Sequence, residues 1–80
     1  MDMRKLVGRN VWAIRRRRGL SQEQLAEIAG FSQQYISGLE SGLRNPTIVT
    51  VYELARALKV GHLDLLRPPR RKERSGSAGA

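Results

Sequence analysis

Eighty residues make one small domain, and a chain this short buries only a modest fraction of its surface. No cysteine is present, so neither a disulfide nor a thiolate metal site can staple it, and the lone His62 cannot build a metal cluster or a histidine-based catalytic pair. A net charge of +8 points to a polyanionic partner, nucleic acid before an anionic membrane surface, and no apolar run is long enough to span a bilayer.

Met3 to Arg18 reads as a first helix, with Leu6, Val7, Val11 and Ile14 as its apolar stripe. Arg15, Arg16, Arg17 and Arg18 fill its last turn, where cations complement the helix dipole, and Gly19 suits the stop. Ser21-Gln22-Glu23-Gln24 is a capping-box pattern, with Ser21 as N-cap and Gln24 reaching back. It opens a short second helix to about Ala29, with Leu25 and Ala29 inward and Ala26 and Ile28 beside them. Gly30 ends it. Ser32 caps a third helix to Glu40 or Ser41, closed by Gly42. Arg44-Asn45-Pro46 is a loop, because proline disfavours helix at the residue before it. Thr47 caps a fourth helix to Lys59, with Ile48, Val51, Leu54, Ala55 and Leu58 inward. Gly61 starts a last short helix, His62 to Leu66, which Arg67-Pro68-Pro69 stops. The expectation is an all-α, compact five-helix domain over residues 1–66. Residues 67–80 form a basic tail whose PPRRKERSGSAGA run has no apolar periodicity and the composition of a disordered segment.

The third helix is unusual. Phe31, Ile36 and Leu39 recur at helical spacing, while Gln33, Gln34, Ser37, Gly38 and Ser41 lie between them. A helix face meeting only water normally takes Lys, Glu or Ala, which have better helix propensity. Charge avoids this stretch as well. Residues 1–20 carry seven basic side chains against one acidic, and residues 67–80 five against one. Residues 21–66 carry three basic against five acidic. Positive ends therefore flank a nearly neutral middle with a face of amides, hydroxyls and a glycine.

The pattern resembles the helix-turn-helix of the Cro and phage-repressor family, often called XRE-like. The runs GLSQEQLAEIAG, YISGLESG and NPT…ELARAL carry the resemblance, which covers roughly Leu6 to Leu66. Ala26 is the small residue where the second helix meets the third, and Gly30 is the tight turn. Leu25, Ala29, Phe31, Ile36 and Leu39 take the inward positions. The spacing independently allows a short helix, a four-residue turn and a second helix packed across it.

The resemblance implies that the third helix enters the major groove of double-stranded DNA. Gln33 and Gln34 lie in its first turn and Ser37 one turn further, as candidate base readers. Glutamine bonds bidentately to adenine N6 and N7, and serine serves several bases. The family often carries a longer polar side chain at the position of Gly38. Here the glycine either lets DNA approach closely or leaves the position unread. Gln22 matches the family residue that bonds a phosphate at the start of the second helix, where the helix N-terminus already favours an anion. Arg44 and Asn45 follow the third helix as backbone contacts, although turn chemistry before Pro46 also accounts for Asn45. Tyr35 has two readings, a hydroxyl on a phosphate or an aromatic packed on its neighbours. Arg15 and Glu40 match a family ion pair, so Arg15 belongs to structure. Arg16, Arg17 and Arg18, with no acid in that helix end to balance them, form the phosphate group.

Other residues carry less. His62 is a surface histidine, and Trp12 either covers the core edge or lies at a contact. Val49 and Tyr52 fall off the core stripe and, with Val60, Leu63 and Leu66, suggest an apolar patch for a homodimer, which is the family's habit. The reading is a sequence-specific, dimeric regulator on a pseudo-palindromic operator, cytoplasmic and nucleoid-associated, of bacterial or phage type, with no cofactor. A protein partner is the alternative: an antitoxin-type chain that binds a toxin and its own operator. The basic tail lacks apolar anchors and argues against a toxin clamp. A membrane or RNA module leaves the Gln-Ser face without a purpose. No nucleophile–base pair, metal set or Gly-rich phosphate loop supports an enzyme.

Overall fold

The computed structural model describes residues 2–69. In it α1 (Met3–Arg17), α2 (Gln22–Ala29), α3 (Gln33–Glu40) and α4 (Ile48–Leu58) are followed by one 3-10 turn, His62–Leu65. No strand occurs among the described residues. Four helices and a turn thus replace the expected five helices. The last segment has only four residues and bonds in the i+3 pattern, Asp64 N–H to Gly61 O and Leu66 N–H to Leu63 O. Pro68 denies the α conformation to Arg67, so the turn cannot lengthen. Residues 70–80, most of the expected tail, lie outside the described residues.

Local chemistry sets each start. Asp2 accepts from the N–H groups of Arg4 and Lys5, Ser21 from Gln24, Ser32 from Tyr35 and Thr47 from Thr50. The capping box at Ser21 is complete, because Gln24 Oε1 also accepts from the Ser21 N–H at 2.8 Å. The stops are local too. Gly30 ends α2 in the left-handed region at φ 81°, which lets the chain turn within a few residues. α4 ends on Lys59 at φ 61°, a conformation that suits glycine better.

The predicted stripes meet in one core. Val11, Leu25, Ile36, Leu39, Leu54, Leu58 and Leu65 are fully buried, joined by Val7, Ile14, Ala26, Val51 and Ala55. Ala29 and Phe31 pack on this core while half-buried, and Val60 joins them there instead of the exposed patch. Ile48 departs most from expectation: it is 89% exposed. Its phase matches Val51 and Ala55, but it stands in the first turn of α4, on the wall of an open groove that Met3 and Val7 also line. Ile28 is exposed as well.

α2 packs against α3 and α4, and α1 packs against α3, α4 and the 3-10 turn. Asn10 ties down the C-terminal end. It is buried, and its Nδ2 donates to Leu65 O at 2.9 Å and Arg67 O at 2.8 Å. Two carbonyls left open at the end of the turn are thereby satisfied.

Candidate nucleic-acid interface

α3 turns Ile36 and Leu39 inward, so its opposite face is set by spacing alone. At about 100° per residue, Gln34 and Ser41 lie at the middle of that face, with Ser37 and Gly38 on either side. Gln33 stands at one edge and Tyr35 at the other. Gln33 and Gln34 are exposed, as expected for groups that must reach a partner, while Ser37, Gly38 and Tyr35 are half-buried. No carboxylate stands on this face.

The Gln33 edge is held by a continuous polar network. Glu40 receives Arg15 through two bonds, Nε to Oε2 at 2.6 Å and Nη2 to Oε1 at 3.1 Å. Arg15 Nη1 donates to Leu20 O at 2.7 Å, so the guanidinium joins α1 to both the α1–α2 loop and the end of α3. Both side chains are almost wholly buried, at 10% and 4% exposure. Glu40 Oε1 also accepts from Gln22 Nε2 at 3.0 Å, and Gln22 Oε1 accepts from Gln33 Nε2 at 3.1 Å. The Arg15–Glu40 pair that the resemblance implies is thus present, and it orients Gln22 and, through it, Gln33. No buried side-chain polar atom lacks a partner among the described residues.

The run Arg15 to Arg18, one cationic cluster in the sequence, is divided in space. Arg15 is buried against Glu40. The Arg16 guanidinium lies 5.1 Å from the ring centre of Trp12, itself 46% exposed. Arg17 is exposed on the side of α1 that carries Asn10 and Ile14, away from Glu40 and α3. Arg18 Nη2 donates to Lys59 O at 2.8 Å and so caps the C-terminus of α4. The charges remain, but they are aimed differently.

Sequence reasoning overlooked Gly8. A Cβ there would run into the carbonyl oxygen of Leu39 and stand 3.0 Å from that of Glu40. α1 and the end of α3 therefore touch backbone to backbone, and this crossing sets how far α3 stands out. A glycine inside a helical pattern is the available signal, since it weakens the helix unless packing needs it. Gly42 also lies close to α1, where a Cβ would stand 2.8 Å from the Lys5 Cγ and 3.3 Å from its Cα.

The opposite edge holds Tyr35 and Arg44. Tyr35 stacks on Phe31, ring centres 5.0 Å apart, and the Arg44 guanidinium lies 5.6 Å from the Tyr35 ring centre. Tyr35 thus packs on its neighbours while half-exposed. Asn45 is exposed in the loop. Among the described residues no group of three or more His, Cys, Asp or Glu side chains could hold a metal ion. His62 is exposed beside Tyr52.

A family profile described as helix-turn-helix matches residues 13–65. An uncharacterized HTH-type transcriptional regulator of Sinorhizobium fredii is 59% identical over 68 residues, which cover 85% of this chain and 88% of that protein. The crystal structure of a hypothetical transcription factor from Neisseria superposes with a TM-score of 0.82 at 34% identity, covering 85% of this chain and 78% of that one. SinR, a master regulator for biofilm formation solved in complex with DNA, superposes with a TM-score of 0.72 at 32% identity, over 76% of this chain and 98% of that one. Short capped helices, the Ala26–Gly30 turn, the Arg15–Glu40 clamp and these likenesses agree: the chain belongs to the Cro and phage-repressor (XRE-like) helix-turn-helix family of DNA-binding transcription regulators.

Proposed function

We propose that this protein is a sequence-specific regulator that docks α3 in the major groove of double-stranded DNA, as a homodimer on a two-fold operator. The supporting observation is the exposed, uncharged face of α3, where Gln34 points outward and the Gln33 amide is held at one edge by the network that runs through Gln22. Gln33, Gln34 and Ser37 read base edges. Glutamine suits adenine, and an amide oriented before binding loses less rotamer freedom on contact. Gln22, at the N-terminus of α2, meets a phosphate with the remaining N–H of its amide, and the helix end supports the anion. Tyr35, Arg44 and Asn45 line the other strand's side. Arg16, Arg17 and Arg18 add positive potential, which raises the rate of encounter without aimed contacts.

Dimerisation has its own support. A groove of about 460 Å³ opens between α1, the α3–α4 loop and α4, lined by Met3, Val7, Pro46, Val49, Tyr52 and Leu66. Ile48 is part of the same lining and is 89% exposed. An open apolar groove with exposed apolar residues on its wall is a surface that a second copy of the chain can bury across a two-fold axis. No helix of the described residues is long and apolar enough to cross a membrane, in keeping with a cytoplasmic, nucleoid-associated regulator.

Selection of bound fragments from random DNA, followed by footprinting of the winner, tests this reading. The expected result is one enriched sequence with two inverted half-sites about 10–10.5 base pairs apart. Q34A should then lower affinity for the winner by about 1–3 kcal/mol and leave random DNA nearly unchanged. Recovery of random fragments without enrichment would refute it.

A further inference from the structure

Gly38 leaves a gap on the Tyr35 side of an otherwise polar face, and the gap is filled. α3 ends in a tight reversal in which Gly42 N–H bonds to Leu39 O at 3.0 Å and Leu43 N–H to Gly38 O at 2.9 Å. With Gly42 at φ 78°, this turn sends the chain back alongside the helix it has just left. A Cβ on Gly38 would stand 2.9 Å from Arg44 Nε, 3.3 Å from Cγ and 3.6 Å from Cδ. The Arg44 stem therefore lies where a side chain of residue 38 would begin. Its head then continues toward the N-terminal end of α3 and comes to rest over the Tyr35 ring, 5.6 Å from its centre. Tyr35 in turn rests on Phe31, which packs against the core.

We propose that Arg44, seated across Gly38 and stacked on Tyr35, is a specificity residue that reads guanine, in place of the side chain that position 38 lacks. This rests on the major-groove reading of α3. Three features favour a base edge over a phosphate. First, the guanidinium does not stay at the rim of the loop. It lies over the first turn of α3, where Gln34 also stands and where base edges are met in this motif. Second, a guanidinium supported on an aromatic face keeps its N–H edge free. That planar fork matches the O6 and N7 acceptors of guanine, which amides and hydroxyls match poorly. Third, among the described residues Arg44 makes no ion pair, so no carboxylate competes for the fork. The α3 face then carries two kinds of reader: Gln33 and Gln34 for adenine, and a borrowed arginine for guanine.

The test is site selection from random DNA with the wild-type chain, R44K, R44A and G38Q, with salt dependence measured on each winner. G38Q keeps α3 intact, because the crowded atoms belong to a flexible side chain, but it displaces the Arg44 stem. Wild type should fix a G·C pair in each half-site. R44K should lose that preference by roughly 5- to 150-fold while the other positions and the salt slope persist, since lysine keeps the charge but not the fork. G38Q should lose the same pair. If R44K retains the full guanine preference, or if R44A only weakens all sequences and flattens the salt slope by about one unit, Arg44 is a phosphate contact and the proposal fails. If wild type enriches no sequence, the major-groove reading falls and this inference with it.

Discussion

Removing the carboxylate of Glu40 should nearly unfold the domain. In E40A the Arg15 guanidinium loses two of its three hydrogen bonds, at Nε and Nη2, and keeps only the one to Leu20 O. The pair is almost fully buried, so water cannot replace the lost acceptor where Arg15 stands. An uncompensated buried charge of this kind costs about 3–5 kcal/mol, against a total stability of about 5–15 kcal/mol for a typical domain. For a domain this small, such a loss lowers the melting temperature by at least about 12 °C. Circular dichroism at 222 nm with heat and urea measures it. The double variant R15M/E40L separates the charge from the volume: removing both partners should restore most of the loss, because the penalty lies in the orphaned ion. Where E40A still folds, Gln33 loses its orientation through Gln22, and selectivity for the operator should fall alongside stability. A loss under about 1 kcal/mol in E40A, the size expected of an exposed pair, would refute the reasoning.

G8A should destabilise by about 1–3 kcal/mol despite the better helix propensity of alanine, because the obstructing atoms are backbone carbonyls that cannot step aside; urea midpoints read it, and a neutral or stabilising result would show that α1 and α3 can separate freely. K59G should raise stability by about 1 kcal/mol, since Lys59 holds φ 61° and the Arg18 bond goes to its backbone oxygen, which glycine retains. The Asp2 carboxyl is held below the usual carboxylate range, chiefly by the Lys5 N–H; desolvation opposes it next in size, and the N–H of Arg4 and the charges of Arg4 and Lys5 add smaller effects in the same direction as Lys5. Because its folded value is the lower one, this contribution is present above about pH 4 and is lost as pH falls through the folded value. The protection of the Arg4 and Lys5 amides against exchange, taken relative to their intrinsic rates, should therefore fall in acid for wild type, and a D2N chain should lack that step. V49D should yield monomers in sedimentation and lose the two-fold operator while single half-sites still bind weakly; a wild-type monomer at working concentrations would remove the dimer.

Much of the fold was legible because its determinants are local. Asp2 aside, each capping side chain was identifiable by its type and by the N–H group three positions on, and each stripe by its spacing. The misreadings have separate causes. Ile48 has the right phase but faces an open groove, and the last segment has the right residues but only four of them, bonded mainly from i to i+3. Among candidate site residues, Gln33 and Gln34 were legible because a face opposite Ile36 and Leu39 must point outward. Gln22 and Glu40 follow from the resemblance, but the unbroken chain of bonds from Arg15 to Gln33 does not.

Sequence alone therefore determined where helices begin and end, which faces they bury and which face of α3 stays polar, because those properties depend on groups within a turn or two of each other. Tertiary structure decided how Arg15 to Arg18 are shared among Glu40, Trp12, solvent and Lys59. It also decided why Gly8 must be small and where Arg44 comes to rest. Each of those is a meeting between segments distant in the chain or turned back by a loop, and spacing along a strand of residues contains no such distances.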